Sequence, residues 1–283
     1  MSEPRISIVI PSFNQGEFIA QTLASLIGQN YPNLELIVID GGSTDQTAEI
    51  IAQYAHAIAH YVSEPDNGQG HAINKGFRLA TGEILAWLNS DDLYLPCTLA
   101  KIAHLMRGSA APQLVYGGSI LFDDRGQFTQ GRLPSEFDRE RLTYFDYIEQ
   151  ASTFWTRRVW ETVGELDESY HYALDWEWFL RAAKICDFTP LREYLSLYRL
   201  HPTHKTGSGG TRRQQEILRI VERSASPDWV TAYHDVAAQM PHCKRQFEQY
   251  APRGLTWLHY LAYLPLYLKH GRHRVINVIF PML

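Results

Sequence analysis

Apolar and polar residues alternate in regular blocks over residues 1–100. Apolar runs at 6–10, 34–39 and 84–88 predict buried strands, with a shorter strand at 60–62. The helical spacing of apolar residues predicts one helix after each of the first three strands. Repeated strand–helix order implies a parallel sheet with right-handed crossovers, so Pro11, Asp40 and Asp91 should line one edge.

The starts of two helices are also predicted. Asn14 with Glu17, and Ser43 with Gln46, have the spacing of capping boxes. Beyond residue 100 the pattern is less regular, and the predicted elements are strands at 114–116, 119–122, 151–155 and 193–200, a helix from Asp175 to about Ile185, and helical spacing from Thr211 to the end.

Composition narrows the class of protein. The chain has 283 residues, of which 45% are hydrophobic and 20% charged, which is typical of a folded soluble protein. A net charge of -5 provides no bulk attraction for nucleic acid. The three cysteines are far apart, which favours a reducing compartment, and the first apolar run is too short for a signal peptide. We therefore expect a cytoplasmic protein.

Two adjacent carboxylates, Asp91 and Asp92, follow the apolar run 84–88. Burying them unpaired within a strand would cost several kcal/mol each, so they should lie at its carboxyl end, where open α/β sheets bind ligands. Paired acids there suit Mg²⁺ or Mn²⁺, which commonly carry a diphosphate. The alternative is a strand end that caps the next helix.

Polar residues follow the first two strands as well. Phe13, held by the loop of Pro11, Ser12 and Asn14, could wall a base or ribose pocket, although a turn with a helix cap at Asn14 is an equal alternative. Asp40 precedes two glycines and could accept hydrogen bonds from a base or ribose, with the glycines letting a ligand approach the backbone.

A polar segment leads into the third predicted helix. It contains Asp66, Gly70 and Asn74, which are further candidates for contact with a bound nucleotide. Its two spaced glycines do not form the dinucleotide fingerprint, because no apolar strand runs directly into them. Asn74 could face the sheet edge or solvent, whereas solvation is favoured for Lys75.

Two later segments carry titratable groups. Asp175 is either a helix cap or, beside Trp176 and Glu177, a general base whose pKa an aromatic wall would raise. His201 and Lys205 follow a predicted strand, where basic groups could face an anionic leaving group, although a loop histidine is usually only polar surface.

Together these segments resemble the family 2 glycosyltransferases over roughly residues 5–205. The resemblance is carried by five segments in the family's order. Residues 8–14 look like the opening strand and loop, and 40–47 look like the acidic nucleotide-binding turn. Residues 74–76 look like the Asn-x-Gly helix, 89–92 like the metal motif and 174–181 like the base segment. It implies the GT-A fold: an α/β, Rossmann-like, mostly parallel open sheet flanked by helices. The expected domains are a catalytic domain at 1–205, with a nucleotide-binding half at about 1–100 and an acceptor-side half at 101–205, and a helical extension at 206–283.

The chain departs from the family pattern at several positions. Asn89 stands where the first acid of the metal motif is usual, so by position Asp91 is the expected metal ligand, with Asp92 supporting and Asn89 and Ser90 as donor contacts. Gly41 replaces a second acid after Asp40. Leu174 replaces the usual Glu, which leaves Asp175 as the expected base and Glu177 in reserve. The resemblance also implies that His201 completes the metal or diphosphate site.

The implied activity is a single displacement that inverts the anomeric centre. The donor is a nucleotide-diphospho-sugar, with uridine favoured by family analogy, and the acceptor is a hydroxyl of a glycan or lipid-linked glycan in cell-surface polysaccharide synthesis. The competing hypotheses are a sugar nucleotidyltransferase and a sugar-nucleotide-binding protein without transfer activity. The first would favour a basic glycine-rich loop after the first strand, which is lacking here, and the second predicts a missing base.

The C-terminal segment 255–283 combines aromatic and apolar residues with a basic cluster at 269–274. This composition suits an interfacial helix on an anionic membrane surface. The alternative is a terminal helix packed on the catalytic domain or on a second subunit, which would make a homodimer. Pro265 argues against one continuous helix.

Overall fold

The computed structural model describes residues 3–109, 111–202, 205, 209–250, 263–279 and 282. The chain forms two compact units, one of residues 1–137 and 147–204 and the other of residues 138–146 and 205–283. The expected boundary between the catalytic domain and the helical extension lies after residue 205, and residues 138–146 were expected in the catalytic domain. The predicted halves 1–100 and 101–205 share a single sheet.

The first unit is built on a sheet that has nine strands within the described residues. In chain order they are β1 Ile6–Ser12, β2 Leu34–Asp40, β3 His60–Ser63, β4 Ile84–Trp87, β5 Leu93–Tyr94, β6 Leu114–Asp123, β7 Phe128–Arg132, β8 Thr153–Thr156 and β9 Phe188–Leu200. Their order in the sheet is β3-β2-β1-β4-β8-β6-β9-β5, and β7 pairs with β6.

The helices lie between these strands and beyond them. In chain order they are α1 Ile19–Ile27, α2 Thr47–Gln53, α3 Gln69–Leu79, α4 Thr98–Met106, α5 Arg139–Leu142, α6 Arg157–Val163, α7 Leu174–Ala182, α8 Gly210–Ser224, α9 Pro227–Tyr250, α10 Leu264–His270 and α11 Arg272–Arg274, with 3-10 turns at Ala55–Ala57 and Gln150–Ser152 and a π-helical stretch at Val275–Ile279.

The sheet is parallel on one side and mixed on the other. The strands of the first half, β3, β2, β1 and β4, pair in parallel, which confirms the parallel sheet predicted for this half. β8 is antiparallel to both β4 and β6, whereas β9 is parallel to β6. The predicted open α/β sheet flanked by helices is confirmed, and the strand ends at Ser12 and Asp40 are register neighbours.

The core explains why the central strands are so apolar. All seven residues of β1 are buried, as expected for a strand covered on both faces. Beside β4, aromatic rings pack against one another, and this aromatic cluster consists of Phe77, Trp87, Trp155, Trp160 and Trp178.

The predicted capping boxes do not form. Asn14 has a positive φ of 52°, α1 begins only at Ile19, and the Asn14 side chain accepts a hydrogen bond from the backbone of Thr44 instead. The Ser43 hydroxyl donates to Asp40, and it is Asp45 that accepts from the backbone N–H of Thr47 at the start of α2. Asn14 and Ser43, the predicted capping residues, instead join the loop after β1 to the loop after β2.

The second unit is helical. Within it, the Tyr144 ring stacks on Trp229 with centroids 3.8 Å apart, and the Tyr233 hydroxyl donates to the Tyr144 carbonyl. Lys269 and His270 both contact Asp235 at 2.6 Å. Part of the predicted interfacial segment 255–283 lies outside the described residues, namely 255–262, 280, 281 and 283. Among the helices that the structure describes, none has the length and apolar character needed to cross a membrane.

Candidate active site

The loops after β1 and β2 form one connected edge. The backbone N–H of Gly41 donates to the Ser12 carbonyl, and the N–H of Asn14 donates to the Ser43 hydroxyl at 2.7 Å. The Gly16 N–H donates to Asp45. These bonds fix the edge that the strand pattern predicted, because both strands end at the same level.

Two side chains on this edge are placed unusually. Phe13 is 59% exposed, which is unusual for a large apolar ring. The Ser12 hydroxyl is buried and has no hydrogen-bond partner among the described residues. Pro11 is a buried residue of β1 beneath them. A flat ring beside an unsatisfied hydroxyl suits a base or ribose, the contact predicted for this loop.

Asp40 is fully buried and holds its own turn. Its carboxylate accepts hydrogen bonds from the Ser43 N–H at 3.0 Å, the Ser43 hydroxyl and the Ser63 hydroxyl at 2.6 Å. Its contact with a nucleotide remains a prediction. The space at Gly41 is not left for a ligand, because a Cβ there would lie 2.8 Å from Asp66 Oδ2.

Asn74 and Gly70 are placed differently from the prediction. Asn74 is 1% exposed; its amide nitrogen donates to the Leu166 carbonyl and to Glu168 Oε1, and its oxygen accepts from the Leu166 N–H. A Cβ on Gly70 would contact Glu168. Asn74 therefore holds the loop that precedes α7, and Gly70 packs close to that loop. The donor contacts of both residues remain predictions.

The acidic turn after β4 faces the end of β9. Asp91 Oδ2 lies 3.0 Å from His201 Nε2, and the two side chains are 20% and 3% exposed. The His201 ring packs against Phe18 with centroids 4.6 Å apart. A carboxylate and an imidazole that are 110 residues apart in sequence thus meet at the sheet edge.

The neighbours of Asp91 support the turn. Asp92 is 1% exposed, and its carboxylate accepts from the Arg199 N–H at 3.1 Å and from Asn89 Nδ2 at 3.4 Å. Burial, and then the charge of Asp91, raise the pKa of the Asp92 carboxyl well above its usual range. Its role as a supporting metal ligand remains a prediction. Ser90 is buried too, and Asn89 Oδ1 accepts from Gln69 at 2.7 Å.

The pair of Asp91 and His201 fits a divalent cation. Two ligands about 2.1 Å from an octahedral ion and at right angles lie about 3.0 Å apart, which matches the observed separation. The described residues include no group of three or more His, Cys, Asp or Glu side chains placed to hold a metal. Mg²⁺ is commonly held by one or two protein ligands, with waters and substrate phosphates completing its shell. The donor set is adequate for such an ion.

The two candidate bases have different surroundings. Asp175 lies in the first turn of α7, and its Oδ1 accepts from the Trp176 N–H at 2.9 Å. Glu177 accepts from the Arg181 guanidinium at 2.9 Å through both oxygens, and Arg181 is also bonded to the Val163 carbonyl. The reserve base is therefore engaged in an ion pair.

The rings that were expected to form an aromatic wall are buried. Trp176 and Trp178 are both fully buried, and Trp178 belongs to the aromatic cluster. The Trp178 indole N–H donates to the Gly164 carbonyl. The contact of Trp176 with the donor remains a prediction. These rings anchor α7 to the sheet.

Sequence reasoning missed Glu149 and Gln150. Gln150 donates to the Trp87 carbonyl at the end of β4, 2.9 Å away. Burial raises the pKa of Glu149, Arg132 opposes the rise, and the charge of Asp175 adds to it. Gln150 therefore contacts the strand that leads to the acidic turn, and Glu149 interacts electrostatically with the candidate base Asp175. Nothing in their irregular local sequence distinguishes them.

Lys205 belongs to the second compact unit. Its predicted contact with the donor remains a prediction.

A curled open α/β sheet with an acidic turn at its carboxyl edge is the architecture of the GT-A glycosyltransferases, and it covers the first unit. The model of the family described as "Glycosyl transferase family 2" matches residues 7–159, so the chain belongs to this family. The expected family and fold are thereby confirmed.

Individual relatives support this assignment. The chain is 32% identical over 185 residues to the "PGL/p-HBAD biosynthesis glycosyltransferase" of Mycobacterium bovis (strain BCG), covering 64% of this chain and 70% of the relative. It is similar in structure to S. aureus TarS 1-349 in complex with UDP-GlcNAc, with a TM-score of 0.63 and 18% identity, over 78% of this chain and 66% of that one.

A second solved structure covers nearly the whole chain. The mannosyltransferase PcManGT from Pyrobaculum calidifontis, in complex with GDP-Man and Mn²⁺, matches with a TM-score of 0.61 and 18% identity over 98% of this chain and 88% of that one. At 18% identity, these two likenesses show the fold alone.

Proposed function

We propose that this protein is an inverting, metal-dependent glycosyltransferase that moves a sugar from a nucleotide-diphospho-sugar to an acceptor hydroxyl. The observation that carries the proposal is the pairing of Asp91 with His201 at 3.0 Å, on the edge where the Phe13 ring is exposed beside the unpartnered Ser12 hydroxyl. Family membership supports the class of reaction.

In the proposed reaction Asp175 accepts the proton of the acceptor hydroxyl, which attacks the anomeric carbon from the face opposite the nucleotide. Asn74 holds the loop before α7 by hydrogen bonds to Leu166 and Glu168, so α7 presents Asp175 from a fixed position. Asp91 and His201 would hold Mg²⁺ or Mn²⁺, which when bound stabilises negative charge on the departing diphosphate. The bond from the anomeric carbon to the diphosphate oxygen breaks as the new glycosidic bond forms, which inverts the configuration.

The donor is proposed to be UDP-linked. The TarS structure contains UDP-GlcNAc and the PcManGT structure contains GDP-Man with Mn²⁺, so donors of both nucleotides occur on this fold. The acceptor is proposed to be a glycan or lipid-linked glycan used for cell-surface polysaccharide, and the protein to work in the cytoplasm at the inner face of the membrane. The name of the mycobacterial relative, which refers to PGL/p-HBAD biosynthesis, supports a biosynthetic role. Homodimer formation remains a prediction.

Product analysis tests the function. Full-length protein is incubated with UDP- and GDP-sugars and Mn²⁺, and products are identified by mass spectrometry and NMR. We expect release of the nucleoside diphosphate with sugar transfer or slow donor hydrolysis, lost on chelation and in Asp91→Ala and His201→Ala. Asp124→Ala, at an exposed turn of the same unit, is the matched control and should retain activity.

The other outcomes identify the competing functions. Release of pyrophosphate would indicate a nucleotidyltransferase. Saturable binding of nucleotide sugars without any turnover would indicate a binding protein. Retention of the anomeric configuration in the product would contradict the single displacement.

A further inference from the structure

Arg199 occupies an unusual position for an arginine near an anion site. It lies on β9 two residues before His201 and is only 4% exposed. Its guanidinium Nε donates to the Asp91 carbonyl at 3.0 Å, and Nη2 donates to Gln21 Oε1 of α1 at 2.7 Å. Its backbone N–H donates to Asp92 Oδ1. One residue therefore contacts both members of the acidic turn.

Aromatic rings fix the guanidinium in this position. Its central carbon lies 4.5 Å from the centroid of the Phe122 ring and 5.0 Å from that of Phe18, both within the range of cation–π attraction. Phe18 also packs against the His201 ring. The same phenyl ring thus supports the arginine and the histidine.

Arg199 is bonded to both acids of the turn through different groups. The buried Asp92 carboxylate accepts from the Arg199 backbone N–H. Arg199 uses the donors of its guanidinium on the Asp91 carbonyl and on Gln21. It is therefore directed at the acidic turn and does not offer these donors to a departing diphosphate.

We propose that Arg199 is a positioning residue that sets the separation of Asp91 from His201 and thereby the affinity of the site for its divalent cation. This inference rests on the proposed function. Because Arg199 lies at the end of β9, two residues before His201, and is bonded to the backbone of Asp91, it fixes the two ligands to each other. Loss of the planar guanidinium would let the turn and the strand end separate.

Substitution by lysine tests the geometry while it keeps the charge. A lysine is a single point donor and cannot bond the Asp91 carbonyl and Gln21 in the fixed directions of a guanidinium. Binding of Mn²⁺ is measured by electron paramagnetic resonance, with and without UDP or GDP, in wild type and in Arg199→Lys. We expect the Mn²⁺ dissociation constant to rise about 10- to 100-fold, the effect typical of groups that orient metal ligands.

Kinetics provide the second readout. In Arg199→Lys the Mn²⁺ concentration for half-maximal activity should rise by the same factor, while turnover at saturating Mn²⁺ returns to within about three-fold of wild type. Arg192→Lys is the matched control, since Arg192 lies on the same strand but is 71% exposed and paired with Glu136. It should change neither quantity.

Other results would overturn the proposal. Unchanged Mn²⁺ affinity with lower turnover would place Arg199 on the donor or acceptor, and unchanged values throughout would make it purely structural. If Arg199→Lys fails to fold, Gln21→Ala removes one contact and should shift Mn²⁺ affinity in the same direction by a smaller factor. Wild type that binds Mn²⁺ tightly but transfers no sugar would refute the proposed function alone. Active wild type with unchanged Mn²⁺ affinity in Arg199→Lys would refute this inference alone, and wild type that binds no Mn²⁺ would refute both this inference and the metal dependence of the proposed function.

Discussion

Asp175 and Glu177 lie two residues apart on α7, yet their surroundings assign them different roles. Glu177 is held by Arg181, which also bonds the carbonyls of Val163 and Glu165. This ion pair ties α7 to the loop after α6. The charge of Asp175 instead acts on Glu149, whose chain neighbour Gln150 donates to the carbonyl at the end of β4. The chemistry is therefore expected at Asp175 and the tethering at Glu177.

The two carboxylates can be separated by amide substitutions. Asp175→Asn should lower turnover by about 10²- to 10⁴-fold with the melting temperature maintained, since the amide cannot accept the acceptor proton. Glu177→Gln should keep turnover within several-fold and lower the melting temperature, because the charge opposite Arg181 is lost. Steady-state kinetics and thermal melts check both. A fully active, well-folded Asp175→Asn protein would contradict the base assignment.

Glu149 provides a pH-dependent prediction. The charge of Asp175 helps to raise the pKa of Glu149, and Coulomb repulsion is mutual, so a charged Glu149 opposes ionisation of Asp175. Glu149→Gln should therefore move the acid limb of the kcat/KM profile to lower pH, by up to about one unit. Glu136→Gln, an exposed carboxylate paired with Arg192, is the control. A shift to higher pH would contradict this arrangement.

At this scale the sequence predicted residue types better than side-chain partners. The resemblance implies that His201 completes the metal or diphosphate site, and its side chain lies 3.0 Å from that of Asp91. The partners of Asn74 and Trp176 were not predictable, because periodicity places a residue on a helix but does not show which distant segment covers it. The loop 166–168 occupies Asn74, and core packing buries Trp176. Arg199 is likewise buried, against the acidic turn.

At the scale of elements, Glu35 joins three segments at the opposite end of the sheet from the site. This residue at the start of β2 accepts hydrogen bonds from the Ser7 hydroxyl of β1 and from the Thr81 N–H and hydroxyl before β4. Burial alone would raise the pKa of Glu35, but these hydrogen bonds and Arg5 outweigh it and lower the pKa below its usual value. The ionised form is therefore the stabilising one.

The sign of the pH effect follows from this lowered pKa. Stability from Glu35 should be complete above about pH 4.3, its ordinary unfolded value, and should be lost as pH falls through the lower folded value. Glu35→Gln should cost about 1–2 kcal/mol at pH 7, and the difference from wild type should shrink in acid. Urea unfolding across pH 3–7 measures it. A difference that grows on acidification would contradict the assignment.

The parallel half of the sheet was predictable because β1, β2 and β3 are each followed by a helix before the next strand, which requires parallel pairing. The mixed half was not, because β8 inserts between β4 and β6, and this pairing joins Leu85 to Trp155. The sequence pattern also predicted two separate strands at 114–116 and 119–122, on either side of two glycines. In the structure β6 continues through both glycines. Glycine is needed at 118 because a Cβ there would lie 2.3 Å from the Arg132 carbonyl of β7. The glycines mark close approach of another strand.

At the scale of the whole molecule, the helical unit provides the surface for the proposed membrane contact. Leu264 and Leu268, one helical turn apart on α10, are 47% and 81% exposed, and Arg272 follows them at an exposed position. Part of the basic cluster is already neutralised, because Lys269 and His270 contact Asp235. The contact should therefore depend on the leucines more than on charge.

Full-length protein with Leu264→Ser and Leu268→Ser tests this surface. In flotation with vesicles containing phosphatidylglycerol, wild type should float and the double variant should float markedly less, since each leucine side chain removed from water contributes about 1.5–3 kcal/mol. Leu105→Ser, on α4 and 41% exposed, is the matched control and should float as wild type does. Because Lys269 is already paired, raising the salt concentration should weaken binding only moderately. Equal flotation of wild type and the double variant would remove this surface from the proposal, and complete release by salt alone would assign the contact to charge.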